Sequence, residues 1–221
     1  MAQTTFTVLA SADDGKVSKS GLGYPPPGTA WADTTFGSLL AARSNWTAEG
    51  ERYEICVGLM RWNTSVIPAG STIVSAQLRV RAMYILNYEA RSLRLEWYAS
   101  GNWPISADAY AQDEAGDAGT FPLSGLVNNA YNTLDLATVT GIIAAGWTGM
   151  RLHLTGGEPT DSNQVGIASK DNTDGYDPPQ LIVIYDPPPE GYQHKALGCL
   201  PTAIAKIMGI PIANIAKFNG V

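Results

Sequence analysis

"SVIPAGSTIVSAQLRVRAMYI", residues 65–85, carries the reading of the fold. Ile67-Pro68-Ala69-Gly70 is a turn: proline presets its own φ, and glycine accepts the positive φ that a tight reversal asks for. From Ile73 to Ile85 apolar and polar residues alternate, putting Leu78 and Val80 on one face and Arg79 and Arg81 on the other. A period of two predicts a strand with one buried face.

The same signal extends outward on both sides. "ERYEICVGLMRWN" (51–63) sets Tyr53, Ile55, Val57 and Leu59 on one face. "RSLRLEWYAS" (91–100) sets Leu93, Leu95 and Trp97 against Arg94 and Glu96. "TTFTVLASA" (4–12), "GMRLHLTGG" (149–157) and "NQVGIASKD" (163–171) are further strands, and "PPQLIVIYD" (178–186) is the last. Trp62, Trp97 and Trp147 read as core. Residues 20–48 and 101–130, rich in Gly, Pro, Asn and Asp, read as loops. In "NTLDLATVTGIIAAGW" (132–147), Asp135 or Thr138 can cap one short helix with Val139, Ile142 and Ile143 on its apolar face. About eight short strands need two sheets to bury their inner faces, so the expected fold is an all-β jelly-roll sandwich with one short helix.

Composition agrees. The 221 residues hold 23 glycines and 14 prolines, only 15% are charged, and 45% are hydrophobic. That suits a turn-rich β protein and not a disordered chain. A formal net charge of −6 argues against a nucleic-acid partner, which needs clustered Lys and Arg. No run reaches the ~18 apolar residues of a membrane-spanning helix. The first residues, "MAQTTFTVLASADDG", lack the basic and apolar regions of a signal peptide. Cys56 lies in an apolar run and reads as a small buried hydrophobe; Cys199 lies near the end, and a disulfide between the two is open.

Asp186-Pro187-Pro188-Pro189 ends the pattern, because consecutive prolines neither donate to a ladder nor continue a helix. The expected division is a sandwich over 1–186 and a proline-linked tail over 187–221. The tail repeats one unit, Ile204-Ala-Lys-Ile-Met-Gly-Ile and Ile215-Ala-Lys-Phe-Asn-Gly-Val. Pro201 or Thr202 and Asn214 can start short helical turns that Gly209 and Gly220 end. Ile204, Ile207 and Ile210, then Ile215, Phe218 and Val221, form two small apolar faces that cannot hold themselves up in water. They need a neighbour, or the sandwich itself, to bury them.

The order of elements resembles a DNRLRE-type domain, a jelly-roll family related to carbohydrate-binding modules. The residues that carry the resemblance are "ASADDGKVS" near the start, Ser65 to Ile73 followed by Gln77-Leu78-Arg79-Val80, "WPIS", "LDLATVTGIIAAGW", and "SKDNTDGYDPPQLIVIYD" with its Pro179-x-Leu-x-Val-x-Tyr ending. It covers roughly residues 5 to 186. Leu59-Met60-Arg61-Trp62 departs from the family's strand, and the long segment 20–48 departs from its loop. The tandem Ile-Ala-Lys-x-x-Gly units resemble the C-terminal tails of tailed-bacteriophage virion proteins.

Candidate chemistry is sparse. No Gly-x-Ser-x-Gly, His-Glu-x-x-His or Walker pattern occurs, His153 and His194 cannot build a His-rich metal site, and the loop carboxylates read first as turn formers, so no enzyme is expected. "DNTDGYD" offers Asp171, Asp174 and Asp177 to calcium, with Asp13 and Asp14 as further oxygen donors, although the spacing fails the EF-hand template and a structural turn is the other reading. Trp31, Trp46, Trp103 and Tyr110, with Tyr24, lie in loop-like stretches, where flat rings either stack on sugars or pin loops. The expectation is a structural virion protein of a tailed bacteriophage, assembled in the host cytoplasm and acting through contacts with other virion proteins and copies of itself. The alternative is a carbohydrate- or receptor-binding module whose partner is a surface polysaccharide.

Overall fold

A computed structural model describes residues 1–46, 52–98, 103–107 and 116–188, plus the backbone at 206–207 and 210–211. The strands are β1 (Ala2–Thr7), β2 (Asp14–Leu22), β3 (Trp31–Asp33), β4 (Ser38–Trp46), β5 (Arg52–Asn63), β6 (Thr72–Asn87), β7 (Ser92–Tyr98), β8 (Gly116–Pro122), β9 (Ala130–Asp135), β10 (Trp147–Leu154), β11 (Asn163–Ala168) and β12 (Gln180–Asp186). A separate pair follows, β13 (Lys206–Ile207) and β14 (Ile210–Pro211).

Hydrogen-bonded neighbours run β1-β12-β6-β11-β4-β5-β10-β7-β8, with β2 on β5, β3 on β2 and β9 on β6. The pairings are antiparallel. Two four-strand rows stand out within this order, β1-β12-β6-β9 and β5-β10-β7-β8, an arrangement consistent with a jelly-roll sandwich. The long strands join the layers. β5 pairs with β4 through Arg52–Cys56 and with β10 through Gly58–Asn63. β6 pairs with β12 through Thr72–Arg79 and with β11 through Ala82–Asn87.

The expected alternation of β6 holds, with Ala76, Leu78, Val80 and Ala82 buried. Ala76, Leu78 and Val80 meet Met60 and Trp62 of β5, Leu93, Leu95 and Trp97 of β7 and Met150, Leu152 and Leu154 of β10 in the main core. Side chains of this size, fully buried, each contribute about 1.5–3 kcal/mol before entropy. β5 is buried on both faces. Met60 and Trp62 serve the main core, while Leu59 joins Val17, Tyr98 and Ile105 in a second cluster on the other side. A third cluster holds Leu40, Ala42 and Cys56.

Several expectations are corrected. No α-helix forms among the described residues; Leu136 to Gly146 is a series of turns. Thr138 does not cap a helix because its hydroxyl donates to Asp117 O at 2.5 Å and accepts from Trp97 Nε1 at 2.9 Å. β4 lies inside the segment expected as a long loop, and β8 inside 101–130. Trp147 is 37% exposed and packs against Arg61 instead of entering the core. In the tail, Lys206–Ile207 pairs antiparallel with Ile210–Pro211, where a helical turn was expected.

β1 closes the sandwich against the last strand of the long sheet, Ala2 opposite Tyr185 and Phe6 opposite Leu181. The N-terminal ammonium sits 3.2 Å from Asp186 Oδ1.

Candidate functional site

The side chains that β10 and β7 turn away from the main core form a connected polar group. Arg151 stands opposite Glu96, and His153 opposite Arg94, in the β10–β7 register. Glu96 is 2% exposed. Its Oε2 accepts from Arg151 Nε at 2.7 Å and lies 2.5 Å from Arg151 Nη2. Its Oε1 lies 2.9 Å from His153 Nε2 and 3.3 Å from Arg94 Nε. A buried carboxylate persists only when charges and donors surround it, and here three cationic or imidazole groups do so.

Beside this group opens a cavity of about 170 Å³ lined by Arg43, Ile55, Val57, Arg151 and His153. Arg43 donates from Nε to Leu154 O at 2.7 Å and from Nη1 to Tyr24 Oη at 2.7 Å. Tyr24 and Tyr53 meet edge to face with centroids 5.6 Å apart, and Tyr53 Oη donates to Glu158 at 2.7 Å. The arrangement offers an apolar floor, guanidinium groups and a tyrosine beside it, which suits a polar or anionic group on a larger ligand. The alternation of "RLEW" set Arg94 and Glu96 apart from the leucines and Trp97, and "RLHL" read as a strand; that the two segments are neighbours depends on a pairing no local pattern reports.

The aromatic candidates separate. Trp31 of β3 is 45% exposed, as is Phe36 between β3 and β4, and the Lys16 ammonium lies 5.4 Å from the Trp31 ring centre and 3.6 Å from that of Phe36. These two rings form an accessible aromatic surface. Trp103 instead packs on the Val17–Leu59–Tyr98–Ile105 cluster, where it pins its loop. The Arg61 guanidinium lies 4.7 Å from the Trp103 ring and 4.4 Å from that of Trp147, and Arg61 Nε donates to Asp13 Oδ1 at 2.7 Å. Tyr110 and the side chain of Trp46 lie outside the described residues. So do Ile204, Ile215, Phe218 and Val221, and the side chains of Ile207 and Ile210.

The three calcium candidates turn to three different tasks. Asp171 accepts from Ser11 Oγ at 2.5 Å. The Asp174 amide donates to Asn172 Oδ1 at 2.9 Å, closing a turn. Asp177 lies 3.8 Å from Arg79, and its amide donates to Tyr131 Oη at 2.9 Å. Among the described residues no three His, Cys, Asp or Glu side chains converge as a metal site. Asp14 is the acid that stands apart: burial first, then the neighbouring Asp171 and Asp13 charges, push its carboxyl up to about 7 against a partly compensating hydrogen bond from the Lys170 amide. Cys56 is a free thiol, and burial pushes its pKa up, so it is a packing residue and not a nucleophile.

Comparison of the chain with protein-family models gives no match, and comparison with curated proteins gives none either.

Proposed function

We propose that the chain is a structural protein of a tailed-bacteriophage virion, a capsid decoration, head fibre or tail component that works through protein–protein contacts. The observation that supports this reading is the separation of the two sheets. The main core runs from Phe6 to Tyr185, the long sheet is closed by β1 on β12, and β13–β14 is a two-stranded sheet of its own. In this reading the duplicated apolar tail beyond Asp186 serves another surface; among the described residues β13 and β14 pair with each other, and two two-residue strands are far below what stands alone in water. The resemblance of the tail units to virion tails points the same way.

The experiment is proteomic. Particles purified from a lysate that expresses the gene should contain the full chain in structural amounts, and a chain lacking 187–221 should be left behind. A full-length chain absent from purified particles would refute the proposal.

A second reading, a module for surface polysaccharide or a receptor, is favoured by the exposed Trp31–Phe36 surface and the Arg43–Arg151–His153 cavity. A glycan array decides it: binding by the native chain that Trp31→Ala abolishes supports the module, and an array with no bound glycan ends it.

A further inference from the structure

Lys16 is a buried cation without a counter-ion. The residue is 6% exposed, in the part of β2, Asp14 to Ser18, that is buried throughout. Among the described residues it forms no ion pair. Nearby acids are engaged elsewhere. Asp33, opposite Lys16 in the β2–β3 register, accepts at Oδ1 from the amide and hydroxyl of Thr35 at 2.9 and 3.1 Å. Asp14, two positions earlier on β2, accepts from the Lys170 amide at 2.8 Å. What meets the ammonium is a pair of rings, Phe36 centred at 3.6 Å and Trp31 at 5.4 Å.

The rings are held in place from separate parts of the chain. Trp31 stands opposite Ser18, two residues along the same face of β2 from Lys16. Phe36 is fixed through its carbonyl, which accepts from Ser169 Oγ at 2.7 Å. Both rings are 45% exposed, whereas the lysine between them is not. Ring quadrupoles offset the desolvation of a cation only in part. A carboxylate supplied by a ligand completes the balance, and an exposed indole gives the ligand's own ring a face to stack on. A neutral sugar can stack but leaves the charge unanswered.

We propose that Lys16, Trp31 and Phe36 form a subsite for a carboxylated sugar, a uronic-acid unit of an acidic polysaccharide. The carboxylate meets the Lys16 ammonium and the sugar ring lies against Trp31. This names the ligand class within the module reading given above and rests on that reading. A chain of net charge −6 has no general attraction for a polyanion, so binding of an acidic polymer reports a local cation and not diffuse charge.

Affinity electrophoresis of the full-length chain tests the subsite, in gels holding polygalacturonate, alginate or hyaluronate, each beside its carboxyl-reduced, neutral counterpart. Retardation by at least one acidic polymer is expected. It should weaken about tenfold or more after carboxyl reduction, and to a similar degree in Lys16→Met, as when a charge-assisted contact is lost. Trp31→Ala should abolish it. Lys16→Met keeps an apolar stem and removes only the charge, so it should melt no lower than the native chain. The reduced polymers are tested on the native chain, so that comparison decides even where a variant does not fold. Equal retardation by acidic and neutral polymers, lost in Trp31→Ala, would overturn the acidic subsite and leave the module reading standing. Retardation that a folded Lys16→Met leaves unchanged would also overturn it, because Lys16 would then only prop the rings. No retardation by any polymer would overturn both.

Discussion

Trp97 donates its indole N–H to the hydroxyl of Thr138 at 2.9 Å, and the Thr138 hydroxyl donates in turn to the Asp117 carbonyl at 2.5 Å. This bridge ties the segment after β9 to β7 and β8 and holds it out of a helix. Thr138→Val keeps the shape and removes both bonds. It should cost about 1–3 kcal/mol, the penalty of an interior donor left without a partner, measured by urea unfolding. An unchanged midpoint would show that the indole finds another acceptor.

Gly141 gives a test of sign. In an exposed helix interior, Gly→Ala stabilises by up to about 1 kcal/mol. In the turn, a Cβ at Gly141 would come within 2.2 Å of Trp97 Cγ. Gly141→Ala should therefore destabilise, by roughly 1–3 kcal/mol as overpacking does. A stabilised variant would restore the helix.

Glu96 is the counter-charge for a whole outer face. Glu96→Ala leaves Arg151, whose side chain is 13% exposed, without its carboxylate. A loss of about 3–5 kcal/mol is expected, as when one member of a buried pair is removed. For a chain of this length that lowers the melting temperature by on the order of 10 °C, read by calorimetry. A drop of only a degree or two would show that the group is solvated in practice.

Glu89 sets an acid limit. Burial opposes its charged form, but hydrogen bonds from the Thr160 amide and hydroxyl and from Arg91, with the Arg91 charge, hold its carboxyl below the ordinary value. Asn163 Nδ2 also donates to it. A carboxyl lowered by folding adds stability that is complete above the unfolded-state pKa and is lost as pH falls through the folded one. Glu89→Gln should melt below the native chain at pH 6, and the gap should narrow toward pH 3. A gap that is constant with pH would assign the effect to packing.

Truncation after Asp186 tests the division of the chain. Since β1 closes on β12 and the main core ends at Tyr185, residues 1–186 should fold and melt as the full chain does. A truncated chain that is unfolded by circular dichroism would place part of the core's support in the tail.

Much of this was legible because strand alternation is a local property. β6 and β7 announce themselves, with apolar residues at every second position against arginines and a glutamate. β4 does not. Leu39 and Ala41 enter the main core while Leu40 and Ala42 enter the third cluster, so a strand buried on both faces shows no alternation. β8, "GDAGTFP", reads as a loop by composition and is a strand because β7 pairs with it and Ala118 fills the core. The helix expected after β9 had the right apolar spacing, and a side chain from another strand took its capping hydroxyl.

The sequence alone determined the class: turns at Pro and Gly, with alternation between them. These follow from backbone sterics and from the two-residue period of a strand, which neighbouring residues set among themselves. Tertiary structure decided which distant groups meet. Asp14 lies 156 residues from the amide that holds it, and Glu96 55 residues from the arginine it neutralises. Such encounters depend on strand order and register, and the energy of a buried charge or proton is fixed by what lies within a few ångströms in space, whatever its distance along the chain.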